Sequence, residues 1–191
     1  MKKELLETIK IEDGQVMNLE WHNQRCNKSR LELFNEKELL NLEEFIEAPK
    51  EGLYRCRILY DKKVNSVEYI PYTPKEINSF KIVQSDIDYS YKYSNREELN
   101  ALLDPNFYEI IIEKNGYLTD TSIANIAFYN GTNWVTPSKP LLKGTIRAKL
   151  LSEGFLIVKN IKSKDIKSYS HFALMNAMIG FQIQKSIQIK S

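Results

Sequence analysis

Tight-turn dipeptides set between runs of alternating polarity constrain this chain more than any other feature. Asp13-Gly14, Asn115-Gly116 and Asn130-Gly131 are pairs that accept the positive φ angles of short turns, and each follows a run readable as a strand. Leu5 to Ile11 is the first such run. After Gly52, Leu53 to Tyr60 alternates, with Arg55, Arg57 and Leu59 on one face and Tyr54, Cys56, Ile58 and Tyr60 on the other; Val67 to Tyr72 returns as its hairpin partner. Two helices are expected between these strands. One runs from a cap at Asn18 through Arg25 toward Leu33, and the other, Glu36 to Glu47, carries Leu39, Leu42, Phe45 and Ile46 on one side and stops before Pro49.

Thr73-Pro74-Lys75-Glu76 reads as a linker. Beyond it, Lys81 to Tyr91 alternates as a strand leading into Lys92, followed by strands at Phe107 to Glu113, Ser122 to Tyr129 and Asn133 to Thr136. A helix opens after Gly144 and ends near Gly154, Phe155 to Ile161 is a further strand, and Ser163 to Tyr169 is helical. Strands through Phe172 and Phe181 close the chain, joined by Asn176-Ala177-Met178. The expected class is α/β (α+β) in two small domains, 1–76 and 77–191, the second larger and carrying Lys92.

Several function classes are disfavoured. A net charge of +2, with lysines interspersed among acids, does not describe a nucleic-acid-binding surface. Cys26 and Cys56 lack metal-ligand spacing and read as reduced thiols, and His22 and His171 are isolated, so no metal site is expected and packing or capping is the default for both histidines. No sustained apolar stretch follows Met1-Lys2-Lys3-Glu4, and Phe172 to Phe181 falls short of the about 20 residues a bilayer requires, so a cytoplasmic protein with no membrane partner is expected.

Four separated stretches carry reactive or anion-binding chemistry. Lys92 sits in Tyr91-Lys92-Tyr93-Ser94-Asn95-Arg96, Asp120 in Thr119-Asp120-Thr121, Gly144-Thr145-Ile146 at a helix start, and Arg25 in His22-Asn23-Gln24-Arg25. Taken singly, these are a surface lysine, a turn or cap acid, a bare helix start and a rim ion pair. Their conjunction is what has meaning. A lysine amine can bond an aldehyde cofactor and then move a proton. A carboxylate can keep a pyridine nitrogen protonated, a helix N-terminus offers amides to phosphate, and a guanidinium grips phosphate oxygens in fork geometry.

In order and placement these stretches resemble the class IV aminotransferases, the fold-type IV enzymes of pyridoxal 5'-phosphate (PLP), over Glu7 to about Ile183. That family includes branched-chain and D-amino-acid aminotransferases and 4-amino-4-deoxychorismate lyase. The resemblance implies a cofactor cleft between the two domains, with Lys92 as tether and base, Asp120 on the pyridine nitrogen, and Gly144, Thr145, Ile146 and Arg25 on the phosphate. Asn176 and Ala177 match a loop on the phosphate and substrate sides. Many relatives carry glutamate where this chain has Asp120 and a hydroxyl residue at Ile146, and the usual strands before Glu7-Thr8-Ile9 are absent.

Lys92 to Asn95-Arg96 is similar to the corresponding run of aminodeoxychorismate lyases, which implies formation of 4-aminobenzoate and pyruvate for folate biosynthesis, with Asn95 at the substrate. The alternatives are an amino-acid aminotransferase and a non-catalytic PLP-binding relative. Arg57 or Arg55 is a candidate for a substrate carboxylate, or else a strand-surface charge. The implied partners are a small-molecule amino substrate and a second copy in a homodimer.

Overall fold

Strand β1, Leu5–Glu12, shows how alternation becomes a core: Leu5, Ile9 and Ile11 lose all solvent contact on one face, and Glu7 shares that face. The computed structural model describes residues 3–185 and 188–190. It is mixed α/β and divides into two compact units. One holds the described residues up to Pro74 together with Tyr91–Asn95; the other holds Lys75–Ser90 and the described residues from Arg96 onward.

In the first unit β1 turns through Asp13 and Gly14, both at positive φ, into β2, Gln15–Val16. Helix α1 is Leu19–Phe34, β3 is Leu53–Tyr60 and β4 is Val64–Pro71, giving an antiparallel sheet of order β2-β1-β3-β4. Cys56, Ile58 and Tyr60 of β3 are buried with the β1 face, and Cys26 of α1 packs on them. Burial of each such aliphatic side chain contributes roughly 1.5–3 kcal/mol. Asn18 occupies the cap position of α1 in left-handed conformation, and its side chain makes no capping bond to the helix.

The helix expected over Glu36 to Glu47 is instead extended chain with a single 3-10 turn, Leu42–Phe45. Side chains of α1 take its backbone groups away from a helical ladder. Asn27 donates to Leu40 O and accepts from Leu40 N, both at 2.8 Å, Asn23 accepts from Leu42 N at 2.8 Å, and Arg30 donates to Glu38 O at 2.7 Å.

The expected strand from Lys81 to Tyr91 is also shorter. Strand β5 is Ser79–Gln84, and beyond it Ser85 and Asp88 side chains accept from Ile87 N and Ser90 N, local turns that compete with strand pairing. Lys92 therefore does not end a strand of the second unit. Its segment joins the first unit, where Leu6 N donates to Lys92 O at 2.8 Å, Tyr93 bridges Leu5, and Tyr91 and Tyr93 pack against the core.

The second unit continues with α2, Glu97–Asn100, β6, Glu109–Lys114, β7, Tyr117–Thr121, β8, Asn125–Tyr129, and β9, Trp134–Pro137. Then follow α3, Thr145–Ser152, β10, Leu156–Lys159, β11, His171–Asn176, β12, Gly180–Ile183, and β13, Gln188–Lys190. The sheet path is β10-β9-β8-β7-β6-β5-β13, with β11 paired to both β8 and β12. The run expected as one strand from Ser122 is interrupted, because Thr121 N and Oγ bond Ala124 O while Oγ accepts from Ile123 N and Ala124 N. That turn separates β7 from β8.

Alternation along β8 then decides what lies on each face. Ile126 and Phe128 join a cluster with Phe80, Ile111, Phe172 and Leu174; Ala127 joins Ala173, Met175 and Ile146 of α3. Two alanines on that face let α3 approach closely. Ser163–Ser168 forms a 3-10 helix. Among the described residues no helix is long and apolar enough to cross a membrane, and no cluster of three His, Cys, Asp or Glu side chains is placed to hold a metal ion.

Candidate functional site

In the first unit the candidate side chains are organised by a buried acid. Glu7 has no solvent exposure, yet it lies on the apolar face of β1 and so must be paired. Arg25 Nε donates to Oε1 at 2.8 Å, Arg25 Nη2 to Oε2 at 2.5 Å, and His22 Nδ1 lies 2.6 Å from Oε2. Residues 22 and 25 sit one helical turn apart on α1, which is why both reach the same carboxylate. Burial alone would raise the Glu7 carboxyl, but the Arg25 guanidinium and the His22 and Arg25 hydrogen bonds outweigh it and hold Glu7 at about 2. Burial also lowers the His22 imidazole, against the pull of Glu7, so His22 is neutral and Glu7 and Arg25 carry the charges. Lys92 is half-buried, and its charge depresses His22 further. Arg25 and Lys92 thus belong to one neighbourhood, in which Glu7 engages Nε and Nη2 of Arg25.

The second unit assembles Asp120 with the start of α3. Asp120 is the last β7 residue paired with β8, opposite Asn125, and is 4% exposed. Its Oδ1 accepts from Asn125 Nδ2 at 2.7 Å and its Oδ2 from Leu142 N at 2.8 Å. Burial pushes the carboxyl up to about 7, although those donors and the Arg147 charge oppose the rise. Gly144 caps α3 with no side-chain hydrogen bond, which leaves the first-turn amides at Thr145 and Ile146 as donors. This donor set fits a phosphate-bearing pyridine: capless amides for the anion, and a buried acid with lone pairs to spare for a ring N–H.

The raised Asp120 carboxyl has a measurable consequence in the protein without cofactor. Its value rises from 3.8 to about 7 on folding, so between these pH values the native state holds a proton that the unfolded chain lacks. Stability from this group therefore falls as pH rises from about 4 to about 7, by on the order of a few kcal/mol. Urea unfolding across that range shows this slope in the wild type and its loss in Asp120→Asn; parallel profiles for the two proteins would refute it.

Other expected residues are placed differently. Arg57 lies opposite Glu68 on β4 and donates to it at 3.0 Å across the strands, with both side chains substantially exposed. Asn176 spends its side chain on the β11–β12 turn, where Oδ1 accepts from Met178 N and Ile179 N and Nδ2 donates to Ile123 O. Ala177 lies within that turn, and Asn95 is exposed in the Lys92 segment. Sequence reasoning missed Glu7, Asn125 and Arg147 and read His22 as packing or capping. The signal for Glu7 was present, an acid in register with Leu5, Ile9 and Ile11; for the others no local pattern exists.

The chain is similar to known proteins along nearly its whole length. A curated relative from Haemophilus influenzae (strain Rd), named only as an uncharacterized protein, is 38% identical over 184 residues, spanning 92% of this chain and 98% of its own. The crystal structure of a "putative 4-amino-4-deoxychorismate lyase" from Haemophilus somnus 129PT is 40% identical with a TM-score of 0.85, covering 94% of this chain and 98% of that one. A "putative amino-acid aminotransferase" from Mesorhizobium loti shares the fold at 21% identity and a TM-score of 0.79, covering 96% and 99%. The family model for amino-transferase class IV matches residues 4–187, nearly the whole chain and every stretch described above, and the protein therefore belongs to the class IV aminotransferase family.

Proposed function

We propose that this protein is a PLP-dependent enzyme and that its reaction is that of a 4-amino-4-deoxychorismate lyase, releasing 4-aminobenzoate and pyruvate for folate synthesis. The observation that carries the reading is the similarity, at 40% identity along nearly both full lengths, to the Haemophilus somnus protein of that description. The Lys92 to Asn95-Arg96 run supports it.

When bound, PLP supplies an electron sink for the bond-breaking step. Lys92 would tether the cofactor through its amine and, once free of that tether, would serve as the base beside the substrate. The freed amine removes the proton from the carbon bearing the substrate nitrogen and returns a proton to the departing enolpyruvyl group, which leaves as pyruvate. Asp120 would hold the pyridine nitrogen of the cofactor protonated. Its short arm is held by Asn125 and Leu142 N rather than reaching out as a glutamate would. The Thr145 and Ile146 amides and Arg25 would hold the phosphate, and Glu7 keeps the guanidinium oriented. Asn95 faces the substrate in this reading. The enzyme acts in the cytoplasm as a homodimer.

A paired assay tests the reaction. PLP-loaded protein is given aminodeoxychorismate, and separately a panel of amino acids with 2-oxoglutarate. Pyruvate and 4-aminobenzoate formed without any keto acid is the expected result. Turnover only when a keto acid is present would replace the lyase with an aminotransferase, and no turnover in either arm would favour a non-catalytic relative.

A further inference from the structure

We infer that Asn125 is a positioning residue that sets the acid Asp120 and the anion-binding start of α3 as one assembly; this deepens the PLP reading and rests on it. The Asn125 side chain is 5% exposed and makes three bonds. Its Nδ2 donates to Asp120 Oδ1 at 2.7 Å and to Leu142 O at 2.8 Å, and its Oδ1 accepts from Gly144 N at 3.1 Å. This amide orientation is dictated by its neighbours, since the reverse would set an oxygen against two acceptors. Asp120 Oδ2 closes the ring by accepting from Leu142 N. Every donor of the acid is thus either Asn125 or part of the loop that Asn125 grips.

Gly144 provides an independent observation. Its φ of −68° and ψ of 150° are open to any residue, so backbone conformation does not call for glycine here. The demand comes from Asn125, because a Cβ on Gly144 would lie 2.1 Å from Asn125 Oδ1. The glycine is the clearance that lets the amide reach the helix start. Arg147, 6% exposed in the first turn of α3, donates to Pro137 O at 2.9 Å and anchors the same segment from its other side. An anion that orders residues 144–146 therefore also holds the donors of Asp120 in place.

The test uses the whole chain and readouts besides turnover. Asn125→Asp keeps the shape but turns the Nδ2 donor into an oxygen facing two acceptors. Titration with PLP, and with inorganic phosphate competing against it, is expected to give about tenfold or weaker binding of both, the loss of roughly one or two good hydrogen bonds. The absorption spectrum of the bound cofactor is expected to change as well, since ring protonation depends on the Asp120 setting. In the second readout, thermal unfolding without cofactor, Gly144→Ala lowers the Tm in the wild-type background and lowers it much less in an Asn125→Ala background, where the clash is gone. Additive effects in that cycle overturn the inference, as does Asn125→Asp with wild-type affinity for phosphate. The cycle also decides the matter if Asn125→Asp does not fold. A wild type that takes up neither PLP nor phosphate overturns the functional reading, and with it the coupling of acid to anion site.

Discussion

Lys92→Ala is expected to abolish covalent retention of PLP and to lower turnover by about 10²–10⁴-fold or more, the scale on which a positioned proton-transfer group contributes. The fold survives the change. The segment is also held without the lysine side chain, by the Leu6 N bond to Lys92 O, the Tyr93 bridge to Leu5, Ser94 bonding to Glu4 through both N and Oγ, and the packing of Tyr91 and Tyr93. Borohydride reduction followed by mass measurement separates the outcomes: the wild type gains the mass of one reduced cofactor at Lys92, and the variant gains none. An adduct of equal yield on another lysine in Lys92→Ala would remove Lys92 from its assigned role.

Glu7→Gln is expected to cost about 3–5 kcal/mol of stability, because it leaves the Arg25 charge, whose side chain is only 14% exposed, without its carboxylate. Typical domains have about 5–15 kcal/mol in total, so the variant folds with a much reduced margin. The wild-type contribution has a defined pH window. Glu7 moves from 4.5 to about 2 on folding, so the native state releases its proton more readily than the unfolded chain. Its stabilisation is complete above about 4.5 and is lost as pH falls from there toward about 2, the opposite direction to Asp120. Denaturant titrations below about pH 4.5 show a steep loss in the wild type and a flatter one in Glu7→Gln. Equal stability of the two proteins at pH 7 would contradict the pairing. The same variant also frees Arg25 to swing from its Glu7-held position, so weaker PLP binding accompanies the loss.

The turns and most strands were legible because their determinants are local. Asn115 and Gly116, both at positive φ, place the β6–β7 hairpin, and the alternation from Leu53 to Tyr60 matches β3 residue for residue, with Cys56, Ile58 and Tyr60 on the buried face. Residues 36–47 were misread for the opposite reason. Their apolar spacing suits a helix, but Asn23, Asn27 and Arg30 of α1 offer partners for the backbone, and four fixed bonds to a neighbouring element outcompete a short marginal helix. The strand expected to reach Tyr91 failed similarly, ended by serine and aspartate side chains that bond their own backbone.

By itself the sequence determined the mixed α/β class, the order of the reactive stretches and the family they resemble, all of which depend on residue type and on spacing along the chain. Only the tertiary structure decided that Glu7, His22 and Arg25 form one buried ionic group, that the Lys92 segment pairs with the start of β1, and that Asn125 spans from Asp120 to Gly144. Those contacts join residues 15 and 18 apart in the first group, and 5 and 19 apart at Asn125. They arise from which buried polar atoms must find partners once the apolar faces have closed. That requirement is set in three dimensions, where a carboxylate removed from water takes whichever donors the packed elements bring to it.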